Sequence, residues 1–343
     1  MVILTALDLE YESIRERLTN LRARSHRAGT RFEVGRLAGH GCRVAVAQVG
    51  KGNHGAAVLA ERAISEFDPA ALLFVGVAGT LRPSIALGDI VVATHVYAYH
   101  GGTSQDGGLM ARPRTWEVSH RALQIAQHLN RDGAWRSFLP PGSGSPAVVF
   151  GPIAAGEIVL DSAISAEARW IRQHYNDACA IEMEAAGVAQ AAHLNDSLPV
   201  VVVRGVSDRA DGGKSATDGA GWQPRAAANA TAFAVALLAE LAEELDGPQR
   251  AGRPGDAGKD GDANSNVAKD NARVGIQARN IYGGVWLGHD NGGGQAGFVA
   301  GDGHGDRPGK PRTRLAWLRG ALGNAASLAS AVAAILSAVR SPT

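Results

Sequence analysis

The chain has 343 residues, of which 45% are hydrophobic, and its formal net charge is +1. This size allows two domains, or one large domain with a tail. The near-zero net charge argues against a general electrostatic grip on nucleic acid, so no nucleic-acid partner is expected.

The two cysteines, Cys42 and Cys179, lie in apolar, strand-like stretches, and we expect both to be buried free thiols. No set of cysteines and histidines has the spacing of zinc ligands, and the sequence predicts neither a metal nor a cofactor. Residues 1–8 lack a basic region followed by a long apolar core. They predict a first strand rather than a signal peptide, and hence a cytoplasmic protein.

Residues 1–246 alternate short β-branched runs with Ala-rich segments. The runs 72–76 and 199–203 are continuously apolar, which is typical of a sheet covered on both faces. The alternation therefore predicts a three-layer α/β domain. The predicted strands span 2–7, 32–37, 43–48, 71–77, 89–97, 147–153 and 200–206, and the predicted helices span 10–18, 55–66, 119–130, 163–174, 183–194 and 223–245.

The composition changes after residue 246. Residues 247–270 are rich in Gly and Asp and predict a disordered linker. Residues 271–299 form a low-complexity island, 300–312 a Gly-rich spacer, and 313–341 an apolar helix. The helix contains an uncharged stretch long enough to span a bilayer, but its Ala, Ser and Asn content favours self-association or docking over membrane insertion.

Three acids stand out because of their apolar surroundings. Glu182 and Glu184 flank Met183, and Asp208 ends a run of valines that also contains Arg204. Carboxylates in such surroundings are costly unless they are paired or used. Structural roles stay open for each: Met183 fits core packing, and Asp208 fits a helix cap or an ion pair with Arg204.

Two further segments allow both a structural and a functional interpretation. Glu10 lies at the start of the first predicted helix, where an acid interacts favourably with the helix dipole. Ala78 and Gly79 lie in a Gly-rich turn after a buried strand, where backbone N–H groups can meet a ligand. An ordinary tight turn accounts for the same residues.

Together these segments resemble the nucleoside phosphorylase/nucleosidase superfamily, most closely the methylthioadenosine/S-adenosylhomocysteine nucleosidases. The resemblance covers residues 1–246 and implies a three-layer αβα fold with a mixed sheet. It rests on segments that occur in the family's order: Thr5-Ala-Leu-Asp-Leu-Glu10, Phe74-Val-Gly-Val-Ala-Gly79, Leu87-Gly-Asp-Ile-Val-Val92, Gly156-Glu157, Glu182-Met-Glu184 and Arg204-Gly-Val-Ser-Asp208.

The resemblance implies an N-glycosyl hydrolase acting on a purine nucleoside or nucleotide. Asp208 would be the general acid toward purine N7, oriented by Ser207 and Arg204. A leaving purine needs this because its N9 anion is a poor leaving group at neutral pH.

The same resemblance implies the sugar and base contacts. Glu184 would accept hydrogen bonds from the ribose hydroxyls, Met183 would pack on the sugar, and Glu10 would hold and activate the attacking water. Glu182 is interpreted as a structural acid. The base would lie near Ala78, Gly79, Val159 and Leu160, with Leu160 offering backbone hydrogen bonds.

Three positions depart from the family's pattern. Val77 stands where these nucleosidases carry a serine, and Val159 where an aromatic ring often stacks on the purine. Phe74 stands where phosphorylases place an arginine for phosphate. Phe74 and Val77, in place of both phosphate ligands, favour hydrolysis over phosphorolysis, whereas Val77 and Val159 argue against adenosylhomocysteine itself as the substrate. A phosphorylase, or a module that senses a nucleoside without turnover, remains the alternative.

Residues 272–286 resemble RHIM-like amyloid signalling motifs, whose alternating apolar and amide residues suit stacking between chains. A disordered linker is the alternative interpretation. The motif implies an effector in bacterial signalling or immunity that is activated by clustering. It also implies a homo-oligomer and a possible partner with a matching motif.

Overall fold

The computed structural model describes residues 1–246. The linker, the amyloid-type motif, the spacer and the C-terminal helix expected in 247–343 lie outside the described residues and stay predictions.

The strands are β1 (Val2–Thr5), β2 (Leu18–Ser25), β3 (Arg31–Leu37), β4 (Arg43–Gln48), β5 (Leu72–Thr80), β6 (Ile90–Ala98), β7 (Gly102–Gln105), β8 (Gly108–Ala111), β9 (Arg114–Glu117), β10 (Val148–Ala155), β11 (Ala180–Glu182) and β12 (Val200–Asp208). The α-helices are α1 (Asp8–Arg15), α2 (Asn53–Phe67), α3 (His120–Asp132), α4 (Ala166–His174), α5 (Ala185–Leu194), α6 (Lys214–Gly219) and α7 (Trp222–Asp246).

Ten of these strands form one mixed sheet in the order β11-β10-β6-β12-β5-β1-β4-β3-β2, with β9 paired to β6. Strand β11 also pairs with β5 in antiparallel orientation. This second pairing closes β5, β12, β6, β10 and β11 into a ring. Strands β7 and β8 form a separate hairpin.

The centre of the sheet is the parallel ladder of β12 with β5, which runs from Val200 opposite Leu72 to Asp208 opposite Gly79. Every residue of β12 is buried, as expected for a strand covered on both faces. Helix α7 packs on β12 and β5, while α2 and α5 pack on each other; α2 also contacts β1, and α5 contacts β6 and β9 as well as β12 and β5. Gly205 permits the contact with α7, because a Cβ there would overlap with the backbone of Ala226.

Within residues 1–246, one helical stretch, Trp222–Glu244, is long and apolar enough to cross a bilayer, with a mean hydropathy of 1.3. However, 83% of its most apolar window is buried inside the domain. Its apolar character is therefore explained by its position in the core.

The expected α/β class with a mixed sheet is confirmed, but several boundaries were wrong. The first helix ends at Arg15 because Leu18 begins β2, a largely exposed edge strand without the apolar signal of the central strands. The predicted helix 183–194 begins at Ala185. The cysteines are free, as expected, but half-buried rather than buried.

Candidate active site

A cleft of about 130 Å³ opens where the parallel strands β12, β5 and β1 end. Ligands of open α/β sheets commonly bind at the carboxyl ends of the strands. The cleft is lined by Ala6, Leu7, Glu10, Lys51, Val77, Ala78, Gly79, Ile158, Val159, Leu160, Ile181, Glu182, Met183, Glu184, Ser207, Asp208, Lys214 and Gln223.

Asp208 is anchored at one end of the cleft through both carboxylate oxygens. Its Oδ1 accepts a hydrogen bond from the backbone N–H of Ala210 at 3.1 Å. Its Oδ2 lies 3.1 Å from both the Ser207 hydroxyl and the Lys214 ammonium nitrogen. Gly79 makes room for it, because a Cβ at that position would lie 2.6 Å from Oδ1.

Arg204 lies beneath the cleft and is fully buried. Its Nη2 donates to Glu182 Oε2 at 2.6 Å, and its guanidinium carbon lies 3.9 Å from the centre of the Phe74 ring. Glu182 in turn accepts from the backbone N–H groups of Glu184 and Ala185, at the start of α5. Arg204 was expected to orient Asp208, but in the structure its ion pair is with Glu182, and Lys214 supplies the cation at Asp208.

Glu184 lies in the bend between β11 and α5 and is 6% exposed. Its Oε1 accepts from the backbone N–H of Gly52 at 3.0 Å, which joins it to the loop before α2. Burial and, after it, the negative charge of Glu182 raise the pKa of Glu184 to about 7, although the positive charge of Arg204 acts in the opposite direction. Glu184 is thus poised to change its charge near neutral pH.

Glu10 is 2% exposed and is held by three backbone donors. Its Oε2 accepts from Ala6 and Leu7 at 2.8 and 2.9 Å, and its Oε1 accepts from Val77 at 2.7 Å. Burial raises the pKa of Glu10, although Arg204 and these N–H groups counteract the effect. This geometry joins β1 to β5 through the carboxylate.

The buried charges share one small volume. A Cβ on Gly76 would overlap with both Arg204 and Glu10, so these two side chains meet over that glycine. Within residues 1–246, Arg204 Nε and Nη1 have no hydrogen-bond partner. Three glutamates therefore surround a single guanidinium, and this excess of acid can stabilise positive charge that develops on a bound sugar.

The structure brings nearly all of the predicted residues together. Among the residues predicted for the site, Asp208, Glu10, Glu184, Met183, Ala78, Gly79, Val159, Leu160 and Ser207 line the cleft, whereas Arg204 does not. Leu160 is buried, and its backbone makes no hydrogen bond within residues 1–246, so its N–H and C=O can serve a ligand. Val159 is 55% exposed and stands at the rim.

Sequence reasoning missed two polar residues of the cleft, Lys214 and Gln223, and included Lys51 only as part of the Gly-rich segment 49–56, which could bind an anion at the start of a helix. Lys214 lies six residues beyond Asp208, at the first position of α6 and directly after two glycines. A further signal was the scarcity of lysine, since Lys51 and Lys214 are the only lysines in residues 1–246.

The ring of strands and the acid-lined cleft at its mouth define an α/β protein with a site for a small polar molecule. A family model described as the Phosphorylase superfamily matches residues 1–239. The chain belongs to the phosphorylase superfamily.

Several 5'-methylthioadenosine/S-adenosylhomocysteine nucleosidases are similar to this chain. The one from Maridesulfovibrio salexigens is 28% identical over 214 residues, which cover 61% of this chain and 86% of the relative. The one from Bacillus thuringiensis subsp. konkukian is 27% identical over 252 residues, which cover 70% and 99%.

A solved structure of the Neisseria meningitidis nucleosidase, in complex with methylthio-immucillin-A, matches with a TM-score of 0.59 and 27% identity. The match covers 71% of this chain and 98% of that structure. The expected nucleoside phosphorylase-like fold is thereby confirmed. The expected enzyme class, N-glycosyl hydrolase, agrees with the names of these relatives.

Proposed function

We propose that the chain hydrolyses the N-glycosidic bond of a purine nucleoside or nucleotide. The observation that carries the proposal is the placement of Asp208, Glu10 and Glu184 on one cleft, each held by fixed donors. The three acids lie along the cleft in an order that allows a purine to bind at Asp208 while its ribose lies over Glu10 and Glu184. The names of the relatives support the same reaction.

The leaving base is served by Asp208. As the bond between C1′ and N9 breaks, electron density moves into the purine, and a proton or a short hydrogen bond at N7 stabilises it. Asp208 supplies that contact in its carboxylic acid form, and the proton that Glu10 takes from water balances the one given to the base, so that return of a proton from Glu10 to Asp208 through solvent completes the cycle. Ser207 and Lys214 hold the carboxyl group of Asp208 in place. The exposed chain around Val159 closes the outer side of the base.

The sugar passes through an oxocarbenium-like state, which the buried acids stabilise. Ionised Glu184 accepts from the ribose hydroxyls, and Met183 packs beside the ring. Water attacks C1′ next to Glu10, which takes its proton. Water is favoured over phosphate because Phe74 and Val77 are apolar and because Arg204 is already paired with Glu182.

The test is release of free base by the wild type and by Asp208→Asn from a panel of purine nucleosides and nucleotides, with and without phosphate. We expect phosphate-independent release that falls at least about 100-fold in the variant, as for loss of a general acid. Strict dependence on phosphate would indicate a phosphorylase instead. Tight binding of a nucleoside without release of base would indicate a sensor.

We further propose that clustering through residues 271–343 controls the enzyme. The support is the amyloid-type pattern of 272–286 and the apolar segment 313–341. Deleting 271–343 is expected to abolish higher-order assembly, measured by light scattering and sedimentation. The truncated protein should still release base at the rate of the full chain in its unassembled state. Assembly of the truncated chain equal to that of the full chain would contradict this role. As part of the same proposal, the full chain is cytoplasmic, forms a homo-oligomer and binds a partner that carries a matching motif.

A further inference from the structure

Residues 1–246 contain twenty arginines but only two lysines, Lys51 and Lys214. Both lysines line the cleft. All other Lys or Arg positions in residues 1–246 are arginines, so both lysine ammonium groups of this domain lie where the ligand would bind. A compact ammonium differs from a guanidinium in binding as a point charge, a mode that suits phosphate.

The strand order places the two lysines at opposite ends of the cleft. Strands β12, β5, β1 and β4 are neighbours and run parallel, so their carboxyl ends share one edge. Asp208, with Lys214, lies at the end of β12, and Lys51 follows β4. Three strand spacings separate these two ends, which corresponds to about 14 Å.

The acids lie between these ends, and this order fixes how a nucleoside would lie. Glu10 follows β1, and Glu184 reaches the loop of Lys51 through the N–H of Gly52 at 3.0 Å. With the base at Asp208 and the ribose hydroxyls at Glu184, the 5′ end of the sugar is directed toward Lys51.

The two lysines differ in whether their charge is already used. Lys214 is bound to Asp208 at 3.1 Å and to Asp218 at 3.5 Å. Lys51 is exposed, and within the described residues its ammonium makes no ion pair or hydrogen bond. Its charge is therefore available to a ligand.

The loop that carries Lys51 is built for close approach of a ligand. Gly50 and Gly52 both have positive φ angles, of 72° and 98°, which glycine adopts without strain. The backbone donor that follows is already in use, because Glu157 Oε1 accepts from the N–H of Asn53 at 3.3 Å. Since the N–H groups of Gly52 and Asn53 are taken by Glu184 and Glu157, recognition of an anion beside them falls to the Lys51 side chain.

We propose that Lys51 selects substrates that carry a phosphate at the 5′ position, so that the preferred substrate is a purine nucleoside 5′-phosphate. This inference rests on the proposed function and specifies its substrate class. An anionic substituent would be repelled by the acids of the cleft, and Lys51 supplies the counter-charge where that substituent would lie.

The experiment compares kcat/KM for release of base from adenosine, guanosine and inosine with that from their 5′-monophosphates. Methylthioadenosine and adenosylhomocysteine are included because the first has a neutral 5′ substituent and the second has a carboxylate. The variants are Lys51→Met, Lys51→Arg and, as a matched control, Arg22→Met, which removes an exposed cation outside the cleft. Thermal unfolding of each variant verifies that it is folded.

We expect the wild type to prefer a monophosphate over its nucleoside. That ratio should fall about 10- to 100-fold in Lys51→Met, as for loss of one charge-assisted hydrogen bond. It should be largely kept in Lys51→Arg and unchanged in Arg22→Met. Equal cleavage of nucleoside and monophosphate, or a Lys51 dependence confined to adenosylhomocysteine, would overturn the inference and leave the nucleosidase intact. Absence of free base from every substrate would instead overturn the proposed function.

Discussion

The ammonium nitrogen of Lys214 lies 3.1 Å from Oδ2 of Asp208. The same oxygen accepts from Ser207, while Oδ1 is taken by a backbone N–H. The carboxyl group proposed to contact the purine is therefore fixed in rotation by a lysine that resides in a separate helix, α6. If that helix moves, the orientation of Asp208 changes with it.

The first prediction follows from this contact. Lys214→Met should lower kcat/KM by about 10- to 100-fold, because Asp208 loses a charge-assisted hydrogen bond. Lys214→Arg should restore part of the activity. Asp218→Asn is the matched control, because Asp218 is a weaker partner of Lys214 at 3.5 Å, and we expect less than about a threefold effect, as for an exposed pair. Equal losses in both variants would contradict the role of the contact.

The second prediction concerns the pH dependence of activity. The pKa of Glu184 is about 7, and the proposed mechanism requires its carboxylate form. The value of kcat/KM should therefore rise as pH increases through about 7. Glu184→Gln should lower activity by about 100-fold or more and remove this rise, which a pH-rate profile would reveal. A wild-type profile that is flat between pH 6 and 8 would argue against an ionised Glu184.

The third prediction concerns stability. The same raised pKa of Glu184 that makes activity rise with pH should make the free energy of unfolding fall with pH. Since the folded-state pKa of Glu184 is above its ordinary value of 4.5, the folded protein binds more protons than the unfolded chain between about 4.5 and 7. The free energy of unfolding should therefore decrease as pH rises through that range. Glu184→Gln should reduce this decrease, as measured by urea unfolding at pH 5 and pH 8. An unchanged slope in the variant would contradict the assignment.

The fourth prediction concerns Gly76. A methyl group there would overlap with Arg204 and Glu10. Gly76→Ala should lower the free energy of unfolding by about 1–3 kcal/mol and abolish most activity, because the two charged groups must separate. Gly41→Ala is the matched control, since a Cβ at Gly41 meets no atom within 4 Å. Denaturant unfolding of both variants is the measurement, and equal stability would contradict the crowding at Gly76.

The fifth prediction concerns the ring under Arg204. Phe74→Leu should destabilise the fold by about 1–3 kcal/mol through a small cavity and the lost cation–π contact. Phe233→Leu should have a similar effect on stability, because Phe233 is equally buried and packs on Trp135 instead. Only Phe74→Leu should also shift the pH-rate profile, since it alone contacts the guanidinium among the glutamates. Identical profiles would indicate that Phe74 serves packing only.

The sequence predicted the parts of the fold that have a strong apolar period. The central strands around Val200 and Leu72 have unbroken runs of apolar residues, and the structure confirms them. Strand β2 was missed because an exposed edge strand carries no such run, and β11 because three residues are too few for a periodic signal. Strand β11 depends on pairing with the distant strands β10 and β5, whereas β2 pairs with β3, the next strand along the chain.

The site divides in the same way. Glu184 and Asp208 were found because acids in apolar segments are unusual, and Glu10 was found because its segment, with theirs, follows the order of a family. Lys51 lies in a Gly-rich loop and Lys214 begins α6 directly after one, and in such segments little in the local sequence distinguishes a binding residue from a solvated one. The partner of Arg204 was assigned to the nearest acid along the chain, whereas the fold places it against Glu182, from a different strand.

The closure of the strand ring by β11 has a consequence for how such a site can change. Residues 180–182 are hydrogen-bonded to β10 on one side and to β5 on the other, so β11 cannot slide without breaking two ladders. The distance between Glu182 on β11 and Asp208 on β12 is thus set by the closed ring of strands. The loops that carry Lys51 and Val159 lie outside this ring of strands. Substitutions in these loops can change which molecule enters while the reacting groups stay in register, which separates the choice of substrate from the chemistry performed on it.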